Sequence, residues 1–308
     1  MASSNGKRIT QFVISPERGF RPGPASDDKP RVPAPAVTRP TKRRSSQGYS
    51  AYAVKKSPFG RDQNPWDFYE TTMEVRLDMW VKKTRRRDGK DGVFAIRAFS
   101  QKDSGLILKR CKSLAHSHLV HFHEAFQTEN TEQNLYIVTE YLPFCLDHLV
   151  ACGEIPSDGE LASIMGQILD ALSYLHSQSL SHGSLKCSNT LVAFDGVVKI
   201  AGYWNCEDYH GSSKHMQDIK AAGFIMMQLM HDHQAMDGNI RVVDSQRSVE
   251  AVGFLADIES GLSAGELLKH EFLAYRDGKP KWNPGQLSGL VYTTAYSSQV
   301  CYKRQKRL

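Results

Sequence analysis

The stretch from Leu180 to Val192, LSHGSLKCSNTLV, constrains this chain more than any other because of what flanks it. Ahead of it, Ser157 and Glu160 have the S-x-x-E spacing of a capping box. Apolar residues then recur at Leu161, Ile164, Met165, Ile168, Leu169, Leu172 and Leu175, which predicts one face of a long helix. Behind it, the run Thr190 to Ile200 reads as a hairpin turning at Asp195-Gly196, and Val197 to Trp204 (VVKIAGYW) overlaps and follows that hairpin. A polar loop fed by a core helix and closed by a hairpin has its ends fixed, so its side chains occupy set positions.

The residues on either side extend the pattern. From Trp66 to Ser100, β-branched and apolar residues alternate loosely with charges, RRRDGKDG makes a turn, and VFAIRAF follows, which predicts three strands. Asp103 to Leu114 fits a short helix, and Asn134 to Tyr141 (NLYIVTEY) a buried strand. Farther on, Ala221 to Met230 has only Gln228 as a polar side chain, so a helix there should be buried all round. Ser263 and Glu266 form a second capping box opening LLKHEFL.

These pieces, in this order, resemble the eukaryotic protein kinases, whose loop reads H-R-D-L-K-x-x-N ahead of D-F-G. The resemblance covers about residues 79 to 273 and implies an α+β, two-lobed fold with a shortened activation segment. A β-rich N-lobe would span residues 65–141 and a helical C-lobe residues 142–275. His182, Leu185, Lys186 and Asn189 stand where the family has them. The Arg position is Gly183, the base position is Ser184, and the metal-binding position is Gly202. In the N-lobe, FAIR (Phe94 to Arg97) replaces V-A-I-K, Ile107 falls in the slot of the acid that pairs with the lysine, and no glycine lies between Gly60 and Gly89 to cover phosphates. Only residues 203–217 separate Gly202 from Asp218, about half of what an activation segment with its A-P-E anchor usually needs.

Phosphoryl transfer rests on positioning and charge neutralisation, by magnesium, a lysine and a carboxylate base. Ser184 supplies no base near neutral pH, and Gly202 supplies no oxygen for a hard cation. The resemblance therefore implies a pseudokinase: a scaffold or allosteric regulator that binds a protein partner, either an active kinase or the substrate of one. The alternative is a weakly active or atypical serine/threonine kinase that binds ATP. The slots Ser184, Lys186, Asn189 and Gly202 are degenerate catalytic positions. Ala95, Arg97, Thr139 (gatekeeper slot) and Tyr141 (hinge) line a weak nucleotide cleft, with ATP at most a weak ligand and magnesium not expected. Arg97 is either a residual anion site or a cleft filler paired to the nearest acid. Asp218 is either the family's anchor for the loop backbone or simply the N-cap of the buried helix.

Charge divides the rest. Residues 1–64 carry +9 and eight of the thirteen prolines, leaving −3 of the chain's +6 for the remainder. This basic arm, with PRVPAPAVTRP (Pro30 to Pro40) and TKRRSS (Thr41 to Ser46), is expected to be disordered, and Ser45 or Ser46 is a candidate phosphorylation site. Residues 276–308 read as a basic C-terminal tail. Histidines 116, 118, 121 and 123 recur at short spacing, but without an assured Cys or carboxylate ligand they do not make a metal site. The six cysteines show no C-x-x-C pair, so free thiols are expected. No apolar run approaches the ~18 residues of a membrane span and the start lacks a signal-peptide core. The expected compartment is cytoplasmic or nuclear, with nucleic acid not an expected partner.

Overall fold

The computed structural model describes residues 64–100, 102, 104–128, 135–208, 213–230, 240, 247–273 and 284–305. The arm, apart from Asn64, and its Ser45 and Ser46 lie outside them.

Five strands, β1 (Tyr69–Arg76), β2 (Trp80–Arg86), β3 (Phe94–Phe99), β4 (Phe122–Gln127) and β5 (Leu135–Glu140), form one antiparallel sheet in the order β1-β2-β3-β5-β4. Alternation sorts β3 between the two faces of that sheet. Ile96 joins Tyr69, Phe126 and Val138 in an outer aromatic cluster, while Ala95 and Arg97 point to the other face, into the main core. Helix α1 (Ser104–Ser113) follows β3 and buries Ile107 and Cys111.

After β6 (Phe144–Cys145) and α2 (Leu146–Cys152), the long helix α3 (Asp158–Ser177) starts at the expected capping box. Ser157 Oγ accepts from the Glu160 amide, and Glu160 Oε2 accepts from the Ser157 amide at 2.8 Å. The seven apolar residues read from the sequence are all buried on α3. Burial of each such side chain contributes about 1.5–3 kcal/mol, which is why this helix is the axis of the C-lobe. Strands β7 (Leu180–Ser181), β8 (Thr190–Val192), β9 (Val198–Ile200) and β10 (Glu207–Asp208) bracket the loop and the segment after it. Gln167 ties the hairpin down: its amide carbonyl accepts from the Val198 amide at 2.8 Å, and its amide nitrogen donates to the Gly196 carbonyl at 3.2 Å.

Helices α4 (Ser213–Leu229), α5 (Val249–Ser260) and α6 (Ala264–Leu267) complete the C-lobe. Helix α4 puts Ile219, Ala222, Ile225, Met226 and Met227 in the core, but it is not buried all round: Gln228 is exposed, and Ala221 and Phe224 are half-buried. Asp218 is not its N-cap. The helix begins at Ser213, so Asp218 lies inside it and is free to act on other elements. Together the sheet-rich and helix-rich halves make a two-lobed kinase fold, and no helix among the described residues is long and apolar enough to cross a membrane.

The C-terminal stretch differs from the basic tail read from the sequence. Residues Pro284–Leu287 make a 3-10 turn and α7 (Ser288–Gln305) follows, burying Leu287, Leu290 and Val291. The Cys152 thiol donates to the Thr294 carbonyl and the Ser297 hydroxyl to Glu154. Gly196, at φ +83°, sits flush with this turn, and a Cβ there would lie 1.8 Å from the Pro284 carbonyl oxygen. Gly196→Ala is therefore expected to lift the turn and α7 off the hairpin at a cost of about 3 kcal/mol, from backbone strain and overpacking combined. Amide hydrogen exchange should rise in α7 and stay unchanged in the β1–β5 sheet.

Candidate functional site

Six residues after β7, the loop bends back on itself. The Asn189 carbonyl oxygen Oδ1 accepts from the Lys186 amide at 2.9 Å, and its Nδ2 donates to the Ser184 carbonyl at 2.7 Å. Both ends of the Asn189 amide are thus used by the loop backbone. Ser184 and Lys186 are exposed. The Lys186 ammonium faces Asp147 on α2: burial raises the Asp147 carboxyl above the usual range, and Lys186 pulls it back down.

Asp218 is the anchor of this loop. Its Oδ2 accepts from the His182 amide at 2.8 Å and from Ser181 Oγ at 3.0 Å, and its Oδ1 accepts from the Gly183 amide at 2.8 Å. His176 Nε2 lies 3.2 Å from Oδ2. Burial alone would raise this carboxyl, but the hydrogen bonds from His176, Gly183 and His182 outweigh it and hold the group below its usual range. His182 is buried, with Nε2 3.1 Å from the Ala201 carbonyl, and burial keeps its ring neutral.

Gly202 adopts φ +89°, a conformation that favours glycine, and leads into a 3-10 turn, Tyr203–Asn205. The Tyr203 hydroxyl donates to the Val120 carbonyl at 3.0 Å, and Trp204 packs edge-on against Phe99. This turn packs on α1.

Of the four residues predicted to line the cleft, Ala95, Arg97 and Thr139 come together, since β3 pairs with β5 in a register that sets Ala95 opposite Thr139, and Tyr141 follows directly after β5. Arg97 is fully buried. Its Nε lies 3.2 Å from both carboxylate oxygens of Asp78, its Nη2 2.9 Å from Asp78 Oδ1, and its Nη1 2.9 Å from Thr139 Oγ1. The guanidinium also lies 5.1 Å from the ring centroid of Trp204. Asp78 comes from the turn between β1 and β2, where the family carries its phosphate-covering glycines. At the hinge, Lys83 Nζ lies 5.0 Å from the ring centroid of Tyr141, whose hydroxyl burial pushes up to about 12.

Sequence reasoning placed Arg97 but missed Asp78, Trp204 and Asp147. The signal for Asp78 was a charged residue at a turn where the family has small ones. The histidine cluster divides in two. His116 and His118 place Nε2 at 3.6 and 3.8 Å from Asp170 Oδ2, and the exposed rings of His121 and His123 meet at 4.7 Å. Among the described residues no group of three or more His, Cys, Asp or Glu side chains is arranged to hold a metal ion. Burial pushes the thiols of Cys111, Cys145 and Cys206 up to about 12, so they stay protonated and inert.

Comparison with known proteins agrees with the geometry. Residues 100–236 match the protein kinase domain family. A probable cell division protein kinase of Encephalitozoon cuniculi is 30% identical over 143 residues, covering 44% of this chain and 45% of that protein. Cyclin-dependent kinase 12 of Drosophila melanogaster is 31% identical over 142 residues, covering 44% of this chain and 12% of that protein. Maternal embryonic leucine zipper kinase of Danio rerio is 31% identical over 121 residues, covering 36% and 17%. The matched stretch spans less than half the length of each of these relatives. A loop held by Asp218, a β3 residue beside the gatekeeper slot, and these matches converge: the fold is kinase-like, and residues 100–236 are similar to the protein kinase domain family.

Proposed function

We propose that the chain is a pseudokinase, a kinase-like scaffold that engages a protein partner, either an active kinase or the substrate of one, and transfers no phosphate. The observation that carries this reading is the Asp78–Arg97–Thr139 cluster. The guanidinium in the lysine slot is fully buried, and all three of its nitrogens are engaged, Nε and Nη2 by Asp78 from the β1–β2 turn and Nη1 by Thr139, where the family's lysine has its ammonium directed at nucleotide phosphates. Ser184 in the base position and Gly202 in the metal position support it, because Ser184 supplies no base near neutral pH and Gly202 supplies no carboxylate for magnesium. The rival reading, a weakly active kinase, draws on Lys186 and Asn189, but Asn189 spends its amide on the loop itself.

The test uses the full chain. Millimolar ATP, with and without magnesium, is expected to leave the melting temperature unchanged, since a ligand that binds the folded state must raise it. Incubation with radiolabelled ATP should transfer no phosphate to the chain or to a generic acceptor protein. Transfer that disappears in Lys186→Ala would overturn the proposal.

A further inference from the structure

We propose that His176 and His215 form a pH-sensitive latch, which pins the first turn of α4 to the end of α3 while His215 is neutral and releases it when His215 takes up a proton. Neither residue lines the cleft between β3 and β5, so the latch works whether or not the chain transfers phosphate.

His176 stands in the last turn of α3 and His215 in the first turn of α4. Their imidazoles lie face to face, with ring centroids 3.8 Å apart and planes 15° from parallel. His176 Nε2 is also 3.2 Å from Asp218 Oδ2, and His215 is hydrogen-bonded to the Leu180 backbone on β7. Two further ties hold this turn: Ser181 Oγ donates to the Lys214 carbonyl at 3.4 Å, and the Lys214 ammonium pairs with Glu207 on β10. The charged groups of the other helices packed on α4 are engaged elsewhere. On α5, Glu259 pairs with Lys220 and Asp257 lies beside His270, while on α2, Asp147 faces Lys186 and His148 accepts from the Cys145 amide. The titratable neighbours of His215 are thus His176 and Asp218.

A neutral ring stacks here at little cost, but a protonated one needs solvent or an anion and instead meets a second imidazole face. Burial and the His176 ring hold the His215 imidazole below its ordinary range, and Asp218 and the Leu180 backbone pull it only part of the way back. The charged ring is better placed in water, and turning there breaks both the stack and the bond to Leu180. What then remains on the turn is one long hydrogen bond and an exposed ion pair, which contributes little. The folded pKa of His215 lies below its unfolded value of about 6.5, so the stability of the closed latch is complete above about pH 6.5 and is lost as pH falls through the folded pKa. Asp218 titrates only below about pH 4, so the loop it anchors outlasts the latch. Mild acid therefore frees Ser213–Gln217, and with it the Lys214 tie to β10, while the loop itself stays in place.

The test is native-state amide hydrogen exchange on the full chain between pH 7.5 and pH 5.5, corrected for the intrinsic pH dependence of exchange. Protection of the amides of residues 214–217 is expected to fall by about fivefold or more over that range, while α3 and the β3–β5 pair stay unchanged. His215→Phe keeps a flat ring and cannot take the proton, so its protection there should match the parent at pH 7.5 and stay constant down to pH 5.5. Constant protection in the parent would overturn the proposal, as would the same loss in His215→Phe, which would place the sensitive group elsewhere. If the variant does not fold, the parent decides through the NMR titration of the His215 ring. A midpoint below about 6.5 that coincides with the loss of protection supports the latch, and a midpoint at or above 6.5, or one displaced from that loss, refutes it.

Discussion

Asp218→Ala is expected to lower folding stability by about 4 kcal/mol, measured by urea unfolding of the full chain. The carboxylate accepts from two backbone amides and one hydroxyl in a buried setting. An alanine leaves the His182 and Gly183 amides without partners, at about 1–3 kcal/mol each. Asp218→Asn should recover only part of this loss, because its amide nitrogen points a donor at donors. The parent should also show a pH signature. The folded pKa of Asp218 lies below its unfolded value, so its stabilisation is complete above about pH 4. As pH falls further, the unfolded chain takes up the proton first and stability drains away until the folded pKa is passed. In Asp218→Asn this acid limb should be shallower. A variant as stable as the parent, with the same acid limb, would remove Asp218 from the centre of the loop.

The second large effect is expected at the buried ion pair. Asp78→Ala should cost about 4 kcal/mol and Arg97→Met about 2 kcal/mol, although each removes the same salt bridge. The difference follows from where each partner is left. Arg97 stays in the core as an unpaired cation, whereas Asp78 can turn outward to water from its place on the β1–β2 turn. The double variant should cost less than the sum, since apolar replacement of both partners leaves no orphan charge, and the coupling should be about 2–3 kcal/mol. Additive losses would show that the two side chains do not depend on each other. The cycle is measured by chemical denaturation at neutral pH.

Much of the C-lobe was legible in the sequence, because its signals are local. The capping boxes at Ser157 and Ser263, the apolar face of α3 and the Asp195-Gly196 turn each lie within one element, and all recur in the fold. What escaped depends on distant parts of the chain meeting. Asp78 reaches Arg97 only once β1, β2 and β3 are paired in register, and nothing near residue 78 declares a partner at residue 97. Asp218 could be read as a cap because SSKHMQ carries no strong helix-start signal, so the five residues of helix ahead of it were not visible. Among the described side chains of α7, residues 288–297, Tyr292 and Tyr296 are exposed and Leu290, Val291 and Thr294 are buried. Its order comes from docking, which no periodicity announces.

The left-handed backbone at Gly202 bears on how this cleft could change over generations. An aspartate restored there would be strained by its φ of +89°, and its Cβ would lie 3.6 Å from His182 and 3.7 Å from Asn189, in space that is open but on a backbone that resists it. Such a mutation alone would, on the proposed reading, carry its backbone strain and restore no activity while Arg97, Ile107 and Ser184 stand. On the proposed reading, recovery of catalysis would need several coincident mutations, and the lineage would be held to a binding role by the cost of every first step back.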